Sequence, residues 1–225
     1  MHRYSFLFAI LGFLTLALLG GAGDWVRLGL AWAAVNFIGV ALAYARQRSG
    51  VFGKRPDGTM AKLNVFVFLP FLALTWVMWH AIRLLSREPP ANRLGRDLIL
   101  ARRLLDGEIP EDVAVVVDLT AEFHEPIAMR RARKYLNFRI LDADAPPFDI
   151  LVEFMNEIPS SGTILIHCAQ GHGRTAMIAA CLLLKLGDAT TADAAIKRIL
   201  SERPRARMNR RQRALVEAYA AAQRS

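Results

Sequence analysis

Hydrophobic residues are distributed unevenly along the chain, and their pattern divides it into two regions. The first region contains three nearly uncharged apolar runs, at residues 5–23, 28–45 and 63–82. Each run approaches the roughly 20 residues that an α-helix needs to cross the hydrocarbon core of a bilayer. We therefore predict that residues 1–87 form a membrane region with three hydrophobic helices, and that residues 88–225 form a separate domain.

Two of these runs leave alternatives open. Pro70 lies inside the third run, where it would kink a helix or allow a re-entrant segment that does not cross fully. A cleaved signal peptide is the competing explanation for the first run, but its basic start is short and it lacks a convincing small-x-small cleavage site. We favour three membrane helices and expect a multi-pass protein of the inner or cytoplasmic membrane.

The second region alternates apolar strands with helices. Residues 113–123 are typical of a buried strand that runs into a loop, and residues 135–140 and 163–167 are typical of two further strands. The predicted helices span residues 148–157, 175–186, 192–203 and 210–222. This alternation predicts an α/β domain with a central mixed, mainly parallel sheet flanked by helices. Such a sheet presents its ligands at the carboxyl ends of its strands.

The loop between the last predicted strand and the next helix carries the candidate chemistry. Its sequence is His167-Cys168-Ala169-Gln170-Gly171-His172-Gly173-Arg174-Thr175. Backbone N–H groups at a helix start have no intrahelical partner, and the helix dipole adds positive charge there, so an anion is favoured. Gly171 and Gly173 let the backbone curl so that several amides converge on one phosphate.

Three side chains of this loop suit covalent phosphate chemistry. The same electrostatic field favours the thiolate form of Cys168, which is the form that attacks phosphorus. Arg174 can hold two phosphoryl oxygens through its planar guanidinium, which a lysine could not imitate. Thr175 is placed to donate a hydroxyl hydrogen bond to the sulfur, which would stabilise the thiolate and later the departing thiol. The alternative is a buried structural cysteine in a glycine-rich turn.

The pattern Cys-x-x-x-x-x-Arg, followed by Thr and preceded by His, resembles the signature of the cysteine-dependent protein tyrosine and dual-specificity phosphatases. The resemblance covers roughly residues 92–223 and implies the cysteine-phosphatase fold and a phosphocysteine intermediate. It implies that phosphate is bound by Ala169, Gln170, Gly171, His172, Gly173 and Arg174. His172 is similar in place to a basic residue of lipid-directed relatives, or it is a neutral loop residue.

A phosphatase of this kind also needs an acid, because the leaving oxygen must receive a proton. Residues 140–147 offer Asp142 and Asp144 shortly before a predicted helix, and this position resembles the general-acid loop of dual-specificity phosphatases. We choose Asp142, which follows a strand and lies four residues before Pro146, and keep Asp144 in reserve. Either residue could instead cap a turn or a helix.

The charge of the chain indicates which partners it could bind. The chain has a net charge of +9, much of it beside the apolar runs or in residues 203–213, where basic residues would attract anionic lipid headgroups. A solvated basic helix face is the plainer interpretation. The sequence has no recognisable nucleic-acid-binding motif, so we expect no nucleic acid partner.

Its two cysteines are too few for a disulfide framework, and Cys181 is expected to be a buried apolar residue rather than a redox partner of Cys168.

The sequence also bears on metal binding and on the membrane orientation of the third apolar run. No His, Cys and carboxylate residues have the spacing of a metal site, so we expect neither a metal nor another cofactor. Basic residues in 46–62 and in 83–103 favour opposite orientations of the third run. Since Cys168 must stay reduced, we expect the catalytic domain to face the cytoplasm.

Three functions fit these features. The favoured one is a membrane-anchored phosphomonoester phosphatase for a lipid phosphate such as phosphatidylglycerophosphate, similar to the branch of the family that hydrolyses that lipid. The second is a protein tyrosine or dual-specificity phosphatase that acts on phosphoproteins near the membrane. The third is a catalytically inactive phosphate-binding module that recruits a partner. The presence of the thiol argues against the third, because phosphate binding alone would not need it.

Overall fold

The computed structural model describes residues 3–21, 23–132 and 134–224, and the chain divides into two compact units. The first unit comprises the described residues up to Arg55 together with Met60–Ser86. The second comprises Pro56–Thr59 and the described residues from Arg87 onward.

The first unit is helical. Its helices are α1 (Arg3–Ala17), α2 (Asp24–Ala45), α3 (Lys62–Val67) and α4 (Leu69–Leu85), with short 3-10 helices at Leu18–Gly21 and Ser49–Phe52. Helices α1 and α2 pack closely, since a Cβ on Gly12 would lie 2.7 Å from the side chain of Ile38. Among the described residues, Arg3–Gly21 and Asp24–Ala45 are long and apolar enough to cross a membrane, with 19 and 22 residues.

The third apolar run differs from its prediction because it forms two helices. Phe68 separates the two helices, as the C-cap of α3 and the N-cap of α4, and it lies two residues before Pro70. The buried amide of Asn36 on α2 lies at this break, where it donates to the Val67 carbonyl at 2.8 Å and accepts from the Phe71 N–H at 3.0 Å. In a continuous helix these two backbone groups would bond to each other. The remaining helix α4 has 17 residues, fewer than the roughly 20 of a full span.

The second unit is built on a five-stranded sheet in the order β1-β2-β5-β3-β4. The strands are β1 (Ala91–Leu94), β2 (Leu98–Arg102), β3 (Val113–Thr120), β4 (Lys134–Ile140) and β5 (Thr163–Cys168). Strands β1 and β2 are antiparallel, and the other pairs are parallel. The helices are α5 (Ile127–Arg130), α6 (Phe148–Glu157), α7 (Gly173–Lys185), α8 (Ala192–Glu202) and α9 (Arg210–Ala222). The predicted α/β fold with a mixed, mainly parallel sheet is confirmed.

Burial of strand β5 and helix α7 fixes the region of the candidate site. Ile164 and Ile166 of β5 belong to one apolar cluster that includes most of α7, whereas Leu165 belongs to a second cluster with Met129. A central strand that is buried on both faces has to be continuously apolar, which is the pattern in the sequence. The carboxyl end of β5, where Cys168 lies, is therefore held from both sides of the sheet.

Candidate active site

Cys168 is the last residue of β5, and its side chain is buried, with 3% of the residue exposed. Neighbouring strands fix it on two sides, because Cys168 pairs with Arg102 of β2 and His167 pairs with Asp118 of β3. Residues 169–172 then form a short loop, and α7 begins at Gly173. The candidate nucleophile thus lies at the carboxyl edge of the sheet and just before a helix N-terminus, as the sequence predicts.

Close packing against neighbouring groups explains both glycines of this loop. Gly171 has φ of +70°, and a Cβ there would lie 2.6 Å from backbone atoms of Ala101 and Arg102. A side chain is therefore excluded both by conformation and by space. A Cβ on Gly173 would lie 2.7 Å from the side-chain oxygen of Gln212. Replacing Gly171 would displace the loop from the surrounding structure, and replacing Gly173 would require the Gln212 side chain to move.

The Arg174 side chain is 1% exposed and its guanidinium is held by acceptors. It donates to both carboxylate oxygens of Glu122, at 2.8 and 3.1 Å, and to the Ile140 carbonyl at 2.9 Å. Asp142 Oδ1 lies 3.1 Å from the same guanidinium. Burial lowers the pKa of Arg174, but Glu122, Asp142 and the Cys168 sulfur outweigh burial and hold that pKa well above its usual value. The guanidinium is therefore a fixed positive charge beside the candidate nucleophile.

Glu122 is a residue of the candidate site that the sequence did not reveal. It follows β3, is 4% exposed, and accepts a hydrogen bond from the Ala121 N–H at 2.8 Å as well as those from Arg174. Its charge fixes the orientation of the Arg174 fork. A carboxylate just beyond the carboxyl end of a predicted parallel strand was the available signal, because ligand-binding residues gather at that edge.

The structure distinguishes the two candidate acids. Asp142 contacts Arg174 and its side chain is 59% exposed. Asp144 is buried and lies 3.6 Å from Arg211 instead. The chain between them turns at Ala143, which has φ of +54°, so that the two carboxylates have different neighbours. Only Asp142 of the pair is placed beside the Arg174 guanidinium.

The loop that carries these aspartates is anchored by the start of α9. Asn209 donates to the Ala143 carbonyl at 2.6 Å, and Gln212 donates to the Asp144 carbonyl at 3.1 Å. The same two residues form a capping box at the N-terminus of α9. Helix α9 therefore sets the position of the Asp142 backbone relative to the 168–174 loop.

Thr175 and His172 differ in part from their expected environments. The Thr175 hydroxyl oxygen is buried and makes no hydrogen bond within the described part of the chain, so the expected bond to the Cys168 sulfur is absent from this structure.

His172 is the N-cap of α7, and its Nε2 lies 2.8 Å from Glu88 Oε2. The His172 ring is therefore paired with the Glu88 carboxylate.

The fold also gathers a polar group beneath the loop, formed by Asp118, Glu125 and His167. Ligand atoms of these three buried residues lie within 4.8 Å of one another, a cluster that could hold a metal ion and that their wide spacing in the sequence concealed. Asp118 accepts a hydrogen bond from the Tyr135 hydroxyl at 2.5 Å, and Glu125 accepts one from Arg103 at 3.1 Å. Burial and Asp118 raise the Tyr135 pKa. The carboxylates of Asp118 and Glu125 thus already accept hydrogen bonds from protein donors. A metal-free mechanism stays a prediction.

Cys181 lies in α7 and is fully buried. Burial raises the pKa of its thiol, which keeps it protonated and unreactive at neutral pH. This environment fits the structural role expected for it.

Comparison with known proteins connects this geometry to a family. The profile of a family described as "Polymorphic toxin system, DSP-PTPase phosphatase" matches residues 107–188. No curated protein sequence matches the chain.

Several solved structures have a fold similar to that of the second unit. Human DUSP28 is similar over 61% of this chain and 97% of its own, with a TM-score of 0.52 and 16% identity. Tk-PTP in its active form is similar over 59% of this chain and 97% of its own, with a TM-score of 0.52 and 22% identity. PTPMT1 in complex with PI(5)P is similar over 60% of this chain and 97% of its own, with a TM-score of 0.52 and 16% identity.

These structural similarities establish the fold, and the family profile spans β3, β4, β5 and α7, which carry Cys168 and Arg174. The second unit therefore has the fold of the cysteine-dependent dual-specificity and protein tyrosine phosphatases, and its segment with Cys168 and Arg174 matches a phosphatase family profile.

Proposed function

We propose that this protein is a membrane-anchored phosphomonoester phosphatase that acts on a lipid phosphate such as phosphatidylglycerophosphate. The observation that carries the proposal is that one chain joins the Cys168–Arg174 loop to two helices long and apolar enough to cross a membrane. An anchor of this kind confines an active site to the surface where a lipid substrate resides.

In the first chemical step, the Cys168 thiolate attacks phosphorus in line. An S–P bond forms while the P–O bond to the leaving group breaks, and Asp142 gives its proton to the departing oxygen. The Arg174 fork and the loop amides bind the equatorial oxygens, whose charge they stabilise. Because Asp142 is 59% exposed, it can leave Arg174 when the phosphoryl group takes its place.

In the second step, water attacks the phosphocysteine. The Asp142 carboxylate takes a proton from that water, the S–P bond breaks, and inorganic phosphate leaves with Cys168 returned to its thiolate. The residues alone supply this chemistry, and no step requires a metal.

Two further observations support a lipid substrate. The net charge of +9 favours an anionic surface, and exposed arginines follow α8, including Arg205, Arg207 and Arg210. A solved relative by fold, PTPMT1, binds the phosphoinositide PI(5)P. We place the catalytic domain on the cytoplasmic side of the membrane, because Cys168 requires a reducing compartment.

The test compares two substrates on the detergent-purified full-length protein. We expect phosphate release from phosphatidylglycerophosphate to exceed that from a phosphotyrosine peptide by about 100-fold in kcat/KM, because binding energy from the lipid would be used in the transition state. The measurement is inorganic phosphate release, with Cys168→Ser as the blank.

A protein substrate is the second candidate, and the family profile favours it because its description names a DSP-PTPase of polymorphic toxin systems. A preference for the peptide in the same assay would establish that reading and exclude the lipid proposal. Release from neither substrate above the blank would instead favour the inactive phosphate-binding module.

Paired substitutions test the choice of the acid. We expect Asp142→Asn to lower kcat about 100-fold on an alkyl phosphate and much less on p-nitrophenyl phosphate, whose leaving group needs no proton. Asp144→Asn is the matched control, because it removes the same charge two residues away at a carboxylate that faces Arg211. If Asp144→Asn shows the leaving-group dependence and Asp142→Asn does not, then Asp144 is the acid.

A further inference from the structure

Arg203 is a second buried arginine at the candidate site, and it contacts the backbone of the 168–174 loop. It follows α8 and is 1% exposed. Its Nε donates to the Gly171 carbonyl at 2.8 Å, and its Nη2 donates to the Gln170 carbonyl at 3.2 Å. One guanidinium therefore holds two consecutive peptide carbonyls of the 168–174 loop.

The rest of the guanidinium is held by the segment that begins the second unit. Arg203 Nη1 donates to Asn92 Oδ1 at 2.6 Å, and Glu88 Oε1 lies 3.6 Å from Nη2. The other oxygen of Glu88 contacts His172 of the loop. Burial lowers the pKa of Arg203 below its usual value, and the charges of Glu88 and the Cys168 sulfur offset this only in part. Arg203 therefore also has partners outside the 168–174 loop, in Asn92 and Glu88.

Peptide geometry gives these contacts a consequence for anion binding. In a trans peptide the C=O and the following N–H point in opposite directions. The Gln170 carbonyl shares its peptide plane with the Gly171 N–H, and the Gly171 carbonyl shares its plane with the His172 N–H. When Arg203 holds both carbonyls, it directs both N–H groups away from itself. Without a donor on that side, the two carbonyls would lose these partners and the peptide planes would be free to turn.

We propose that Arg203 is a positioning residue of the phosphate-binding loop, which orients the Gly171 and His172 amides toward the substrate's phosphoryl oxygens. The inference rests on the proposed phosphatase site and adds to it a residue that never touches substrate. Arg203 acts on the amides, whereas Arg174 binds oxygens directly.

The test measures oxyanion affinity and catalysis in full-length Arg203→Met and Arg203→Lys. The probes are orthovanadate as an inhibitor and p-nitrophenyl phosphate as a small substrate that needs no lipid surface. We expect Arg203→Met to weaken vanadate inhibition and to lower kcat/KM, each by about 10- to 100-fold, because misplaced amides lose transition-state contacts. Arg203→Lys should recover part of both, since one ammonium can bond one of the two carbonyls.

The matched control is Arg198→Met, which removes an arginine from α8 that lies 3.6 Å from Asp188 and is 40% exposed. We expect it to leave vanadate inhibition unchanged. Melting temperatures of all variants separate a positioning role from a structural one, because a structural role lowers stability without changing vanadate affinity of the folded protein. Unchanged affinity in folded Arg203→Lys and Arg203→Met would overturn the proposal.

Two further readouts keep the inference testable. If Arg203→Met does not fold, Asn92→Ala removes a support of Arg203 without altering the loop, and should weaken vanadate inhibition in the same direction. Equilibrium binding of inorganic phosphate needs no turnover, so it separates the two proposals. Arg203-dependent phosphate binding without any turnover would refute the proposed function alone, and Cys168-dependent turnover with Arg203-independent binding would refute this inference alone.

Discussion

Cys168→Ser is expected to abolish phosphate release while leaving phosphate binding intact. The hydroxyl of serine is a far weaker nucleophile than a thiolate at neutral pH, so turnover should fall about 10⁴-fold or more. The loop amides and Arg174 are unchanged by the substitution, so affinity for inorganic phosphate should stay within about threefold of wild type. Initial rates with p-nitrophenyl phosphate and equilibrium phosphate binding measure the two quantities separately.

Cys181→Ser provides the matched control for this change. It makes the same substitution at the other cysteine, which is fully buried in α7 and whose thiol pKa is raised by burial. We expect it to reduce stability and to leave the activity of the folded protein unchanged. A Cys168→Ser variant that keeps wild-type turnover would show that the thiol is not the nucleophile and would remove the basis of the phosphocysteine mechanism.

How far the sequence predicts this molecule depends on whether the relevant residues are adjacent in the chain. The predicted strand at residues 163–167 and helix at 175–186 differ by a residue or two from β5 and α7. Both elements are mostly apolar, and a short glycine-containing loop joins them. The sequence signals that predict this strand-loop-helix unit are local, so one segment of sequence contains them.

Residues that act on the loop from elsewhere in the chain could not be found in this way. Glu122 lies 2.8 Å from Arg174 although 52 positions separate them, and Arg203 reaches Gly171 across 32 positions. Each residue is charged in a segment where a solvated side chain is the ordinary expectation. Only the order of strands and the packing of α8 beside the loop bring these charges into buried positions.

The break in the third apolar run has the same kind of cause. Pro70 has no N–H to bond to the Phe66 carbonyl, and Asn36 of α2 takes over the backbone groups of Val67 and Phe71, so that α3 ends at Val67. Strands β1 and β2 were also not predicted. They contain Arg93 and Arg102 and have only four and five residues, too few for a clear alternation of apolar and polar positions.

The second large effect concerns the Arg174 guanidinium. We expect Arg174→Lys to lower kcat/KM by about 10²- to 10³-fold, because an ammonium cannot hold two phosphoryl oxygens and Glu122 at once. Lysine keeps the positive charge beside the buried Glu122, so the variant should fold, which an uncharged residue would not ensure. Kinetics with p-nitrophenyl phosphate, together with melting temperature, measure the two effects.

Glu122→Gln separates the charge of Arg174 from its orientation. The guanidinium remains, and glutamine can still accept one of its hydrogen bonds, but the charge-assisted pair with both carboxylate oxygens is lost. We expect a smaller fall in kcat/KM, about tenfold, carried by kcat rather than KM. If Glu122→Gln instead matches wild type while Arg174→Lys is inactive, Glu122 only neutralises a buried charge. The fork would then be oriented by the Ile140 carbonyl and the substrate.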